Sequence, residues 1–122
     1  MTRSILDETH IHPAIRDRIA NLNRDIVAEV QQSLAEHKIV VVGMRQNPVV
    51  KKARQALDAQ GMAFHYLEYG SYLSDWRRRN SLKMWTGWPT FPMVFVKGVL
   101  VGGAAELNTL IASGELVRMM QS

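Results

Sequence analysis

The stretch RQNPVVKKAR, residues 45–54, sets a polar turn, a proline and a basic helical segment directly behind the β-branched run KIVVVG. A turn of this kind suits anion or thiolate chemistry, because the first N–H groups of a helix have no intrahelical partner. The side chains on offer there, Asn47, Val49 and Val50, include no nucleophile, acid or base. The 122-residue chain has no cysteine, which excludes a thiolate nucleophile, a disulfide and a Cys-ligated metal. Arg79 and Lys83, four apart, share a helix face that suits either a carboxylate or plain solvent. His10 and His12 give two ligands in a terminal segment, and neither His37 nor His65 has a partner ligand spaced with it, so no metal site is expected.

The elements that must position these residues follow from periodicity. Pro13 suits the first position of a helix, after which Ile15, Ile19 and Leu22 recur at helical spacing. A second periodic segment over 25–36 carries Ile26, Val30 and Leu34 on one face. KIVVVG predicts a buried strand. Residues 48–60 predict a helix with Val50, Ala53, Ala56 and Leu57 inward, stopped by Gly61. MAFHYLEY predicts a second strand, and SDWRRRNSLKMW a helix with Ser74 as its N-cap. MVFVKGVLVGG predicts a tight hairpin turning at Lys97 and Gly98, followed by a closing helix interrupted near Gly114. The order is a split α/β pattern, with the first two strands parallel and the last two antiparallel. Residues 1–22 read as a helical extension on a compact domain of residues 23–122.

Composition narrows the function classes. Apolar content of 47% and charged content of 21% are those of an ordinary globular protein. No apolar stretch is long enough to span a bilayer, so no membrane role is expected. MTRSILDETHIHP lacks the apolar core of a secretory signal, which makes the cytoplasm the default location. The net charge of +4 is spread along the chain apart from Arg77–Arg79 and the Lys51, Lys52, Arg54 group. No aromatic residues interleave with it, so a small acidic ligand is expected rather than nucleic acid.

From Arg79 onward, RNSLKMWTGWPTFPMVFVKGVLVGG followed by ELNTLIASGEL resembles the monothiol glutaredoxins. Arg79, Leu82, Lys83, the run Trp88 to Pro92, Lys97, Gly98, Gly102, Gly103 and Ser113 to Leu116 match that family in order and spacing. The resemblance implies a thioredoxin/glutaredoxin-like α/β fold: a central four-stranded mixed sheet flanked by helices, here with an extra N-terminal helical segment. It also implies a cysteine motif at the turn before Pro48. Aligned on Pro48, Asn47 stands where the attacking cysteine would be and Val50 where a resolving one would be.

The resemblance further implies a glutathione cradle. Thr90, Phe91 and Pro92 would supply a backbone edge, with a cis bond before Pro92. Arg79 and Lys83 would face one glutathione carboxylate, and Gly103 with the helix start behind it the other. Glu106 would meet the ammonium, although Ala105 stands where the family has another acidic residue. Arg45 or Lys51 would replace a lysine that the family carries before its cysteine. The residues by themselves leave alternatives: Pro92 serves the fold regardless, the glycines suit a tight turn, and WTGW suits core and turn.

Disulfide exchange needs a thiolate that attacks sulfur, and this chain has none. Iron–sulfur carriage in the family likewise uses the missing cysteine. The expectation is a non-catalytic protein with no resident cofactor beyond glutathione itself. The alternative is an interaction or assembly module, with a protein partner or a second copy, in which the groove is vestigial. The N-terminal helix and the valines at the turn motivate that alternative.

Overall fold

The computed structural model describes residues 2–121. Its elements are α1 (Pro13–Asn21), α2 (Arg24–Glu36), β1 (Ile39–Gly43), α3 (Pro48–Ala59), β2 (His65–Glu68), α4 (Trp76–Thr86), β3 (Met93–Val96), β4 (Val99–Gly102), α5 (Ala104–Ala112) and α6 (Glu115–Gln121), with a 3-10 turn at Glu8–His10. The four strands form one sheet in the order β2-β1-β3-β4. β1 pairs parallel with β2, Val40 opposite His65, and antiparallel with β3, Val41 opposite Val94. β3 and β4 form the expected hairpin, and both turn residues, Lys97 and Gly98, take left-handed φ values of 51° and 79°.

Alternation along the two central strands sorts the core into two layers. Val40, Val42, Met93 and Phe95 pack with Ile26 and Val30 of α2 and Leu82 of α4. Ile39, Val41, Val94 and Val96 point the other way, onto Ala53 and Leu57 of α3, Leu107 of α5 and Leu116 of α6. Every residue of β1 is buried, as a strand covered on both faces requires.

Gly43 ends β1 where α3 crosses it. A Cβ at this position would lie 2.5 Å from Val50 Cγ1 and 3.0 Å from the Tyr66 ring. Gly43→Ala is therefore expected to cost about 1–3 kcal/mol through overpacking, read as a lowered urea midpoint with an unchanged m-value.

Several boundaries differ from expectation. β2 is shorter than the apolar run, because Met62 N–H turns back to the Leu57 carbonyl and holds the chain in the helix-end turn. The cap of α4 is Asp75, with φ of 57° and no side-chain cap bond, rather than Ser74. Ser74 instead accepts the Ser71 N–H through its hydroxyl. The N-terminal segment is a separate helix, broken from α2 at Asn23 with φ of 48°. No residue of α1 is buried, and Ile15, Ile19 and Leu22 are 41%, 50% and 56% exposed. His12 caps this helix, its Nδ1 accepting the Ala14 N–H, and Arg3 reaches back to donate to the Thr86 carbonyl at the end of α4.

Candidate functional site

The start of α3 is built by its own sequence. Gln46 takes a left-handed φ of 62°, which turns the chain off β1, and Asn47 follows in extended conformation as N-cap with Pro48 at the first helical position. Asn47 Oδ1 accepts the N–H groups of Val49 at 2.9 Å and Val50 at 3.1 Å. These are the free amides that would otherwise face an anion. Val50 is buried at 2% exposure while Val49 is 47% exposed, so only one of the two valines presents apolar surface. An Asn directly before a Pro is a helix-start signal, and it could have assigned Asn47 this role from the sequence.

The Phe91–Pro92 peptide bond is cis. Phe91 and Pro92 are buried and Thr90 is exposed. Neither Thr90 nor Phe91 makes a backbone hydrogen bond among the described residues. Lys83 brings its Nζ to 5.8 Å from the centroid of the Phe91 ring. Trp88 Nε1 is buried without a hydrogen-bond partner among the described residues, and it lies 3.7 Å from where a Cβ on Gly103 would be. A buried, unspent donor beside this edge is a feature the sequence did not flag.

Glu106 is committed locally. Its Oε1 accepts the Gly103 N–H at 2.9 Å, capping α5, and Gly102 makes room for it: a Cβ there would lie 2.7 Å from Glu106 Cγ. That leaves Glu106 less available to an ammonium group than the resemblance implied.

Arg79 is turned inward. It is buried at 6% exposure, and its Nη1 donates to the carbonyls of Tyr69 and Ser74. The guanidinium ties the loop after β2 onto α4. Of the triplet, Arg79 is the inward member, while Arg78 pairs with Asp25 at 3.0 Å and Arg77 lies over the Trp76 ring. Tyr69 completes this inner network, its hydroxyl bonded to Glu29. Burial, then that bond to a carboxylate, pushes its pKa far above the ordinary tyrosine value.

Arg45 and Lys51 turn toward β2, which β1 separates from β3. Arg45 Nε is 3.7 Å from Glu68 at the end of β2, and Lys51 lines a cleft with Tyr66 and Glu68. The structure thus gathers Lys83, Thr90, Phe91, Pro92, Gly103 and Glu106 around one edge, buries Arg79, and places Arg45 and Lys51 elsewhere. His37 and His65, unrelated by spacing, stack with centroids 4.3 Å apart and planes within 4°. Their lone pairs run in separate parallel planes and do not converge on one ion.

Residues 39–101 match the glutaredoxin family model. The chain belongs to the glutaredoxin family. It is 46% identical over 102 residues to a glutaredoxin-like protein of Dictyostelium discoideum, covering 84% of this chain and 83% of that one. It is 30% identical over 105 residues to a ycf64-like monothiol glutaredoxin of Synechocystis sp., covering 82% and 95%. In fold, this glutaredoxin-family chain superposes on buckwheat glutaredoxin in complex with glutathione with a TM-score of 0.70 at 20% identity, covering 83% of this chain and 92% of that one. This glutaredoxin-like chain has no cysteine anywhere and an asparagine cap at the start of α3. Among the described residues no helix is long and apolar enough to cross a membrane.

Proposed function

We propose that this glutaredoxin-family protein is a non-catalytic binding protein, with glutathione as the ligand of the edge at Thr90–Phe91–Pro92. The carrying observation is the Thr90–Phe91 edge before the cis bond to Pro92, whose backbone groups have no backbone partner among the described residues, while the Asn47 oxygen closes the two α3 amides. A thiolate at that position would be held by the same amides, so the helix start is satisfied without a reactive group. Lys83 supports the reading as a cation beside the edge, and the buckwheat relative, seen with glutathione, supports the choice of ligand. Glutathione should be bound and released unchanged. Titration of the protein with reduced glutathione at millimolar concentration is expected to give heat and to shift the Thr90, Phe91 and Gly103 amides. Lys83→Ala should weaken binding several-fold, and a hydroxyethyl disulfide assay should stay blank. Absence of both heat and amide shifts would remove the proposal.

A second reading rests on α1. Ile15 and Ile19 of α1 and Leu22 at its C-cap are about half exposed, although their spacing is that of a packed helix face. Under that reading the helix serves assembly and the groove is vestigial. Light scattering of the full chain against one lacking residues 1–22 separates the two: a larger species lost on deletion supports assembly, and a monomer in both cases opposes it.

A further inference from the structure

The cleft that Lys51 lines lies between the first turns of α3 and the strand β2, and β1 separates β2 from β3, the strand that follows Pro92. We propose that this cleft binds a small organic carboxylate that also carries a hydrogen-bond donor, of the amino-acid or hydroxy-acid class. The cleft holds about 430 Å³ and is lined in part by Asn47, Lys51, Arg54, Tyr66 and Glu68. That volume fits a small metabolite and exceeds the need of a lone ion.

The donors are arranged in advance. Lys51 and Arg54 are three apart on α3 and share one face. Neither forms an ion pair among the described residues. The Arg54 guanidinium lies 3.9 Å over the Tyr66 ring, and its buried Nε has no hydrogen-bond partner among the described residues. Stacking fixes the plane of the guanidinium, so little freedom is left to lose when it forms a two-point contact. Asn47 adds a donor: its Oδ1 is spent on the helix amides, which leaves its NH2 group as what it offers the cleft.

The same capping bonds decide between anions. A phosphate site at a helix start depends on free backbone N–H groups. Those of Val49 and Val50 are taken, so the recognition that remains is by side chain, and a planar carboxylate suits a stacked guanidinium best. Glu68 supplies the complementary demand. It accepts from the Tyr66 hydroxyl at 3.1 Å and faces Arg45 at 3.7 Å, yet it still lines the cleft as the one carboxylate among the lining groups. A ligand with an ammonium or hydroxyl group beside its carboxylate satisfies both walls, and a simple diacid satisfies one.

The test is an amide-shift titration of the full chain with L-malate, L-glutamate, succinate and inorganic phosphate in turn. L-Malate or L-glutamate should shift the Gln46, Lys51 and Arg54 amides and the Arg54 Nε–H, saturating in the millimolar range. Succinate should bind several-fold more weakly, and phosphate more weakly again. Arg54→Lys keeps the charge and removes the fork, and should weaken binding about tenfold; unchanged amide positions outside the cleft verify its fold. The glutathione response at Thr90 and Phe91 should survive that substitution, which separates this site from the other edge. Equal affinity for phosphate, no saturable shift with either donor-bearing acid, or an Arg54→Lys variant that binds undiminished would each overturn the proposal.

Discussion

Asn47→Cys is expected to turn a chain that no thiol reagent can label into one labelled at a single, fast-reacting site. The wild-type chain has no thiol at all, so the background is zero. The new sulfur would sit at the N-cap of α3, where the Val49 and Val50 N–H groups now bond Asn47 Oδ1. Those amides and the positive end of the helix favour the charged sulfur, so its pKa should fall below the ordinary value of about 8.5. Alkylation by iodoacetamide, followed from pH 5 to 10, reads that pKa directly. A midpoint at or above the free value would show that this helix start does not stabilise an anion.

The same substitution carries a stability signature with a definite sign. A neutral thiol is a poor cap, so below the folded pKa the variant should be about 1 kcal/mol less stable than wild type. A group whose folded pKa is depressed contributes stability that is present above its unfolded pKa and lost as pH falls through the folded one. The variant should therefore recover stability as pH rises between the folded value and about 8.5. Activity gives a third readout. If glutathione occupies the Thr90–Pro92 edge, Asn47→Cys should turn over hydroxyethyl disulfide where wild type is blank. Rapid labelling without turnover would mean that the thiolate site is intact while the edge does not hold glutathione.

Arg79→Met is expected to be among the most destabilising single changes on α4, with a loss of about 3 kcal/mol. The substitution keeps the apolar stem and removes the guanidinium that bonds the Tyr69 and Ser74 carbonyls. Two acceptors would then lose a charged donor in a site where Arg79 is only 6% exposed. For a domain of this size the melting temperature should drop by about 10 °C or more. Lys83→Met, one turn along the same helix, is the control. Lys83 makes no ion pair among the described residues, so its stability change should stay within about 0.5 kcal/mol. The two residues separate structure from binding: Arg79 should act on folding, Lys83 on glutathione affinity. An Arg79→Met variant of normal stability that had lost glutathione binding would restore the carboxylate-binding role that the family resemblance implies.

Much of the fold was legible because its signals are local. The β-branched run before Gly43 and the one after Pro92 became the two central strands, and their period-two alternation gave the core its two layers. Lys97–Gly98 turned as a two-residue hairpin must, and Gly114, with φ of 79°, broke the closing helix. The site was legible only in part. Arg77, Arg78 and Arg79 are indistinguishable by type, and only the phase of α4 against the loop after β2 buries the third. Arg45 and Lys51 are neighbours of Asn47 along the chain, yet both face β2 rather than Pro92. His37 and His65 stack because β1 pairs with β2, a relation that no spacing expresses.

The amino-acid sequence alone determined the chemistry that is excluded. Covalent inventory is complete in the primary structure, and a chain without cysteine can make no thiolate, however it folds. It also determined the architecture, through periodicity and turn residues. Tertiary structure decided which polar groups remain free to bind. The Asn47 Oδ1 is a spent cap, Arg79 a spent strut and Glu106 a partly spent one, whereas among the described residues Lys83 has no ion pair and Trp88 Nε1 and the Thr90–Phe91 backbone have no hydrogen-bond partner. The physical reason is that a donor or acceptor is available only when no closer partner satisfies it. For Arg79 and the groups around Pro92, those partners come from segments that meet only in the folded chain.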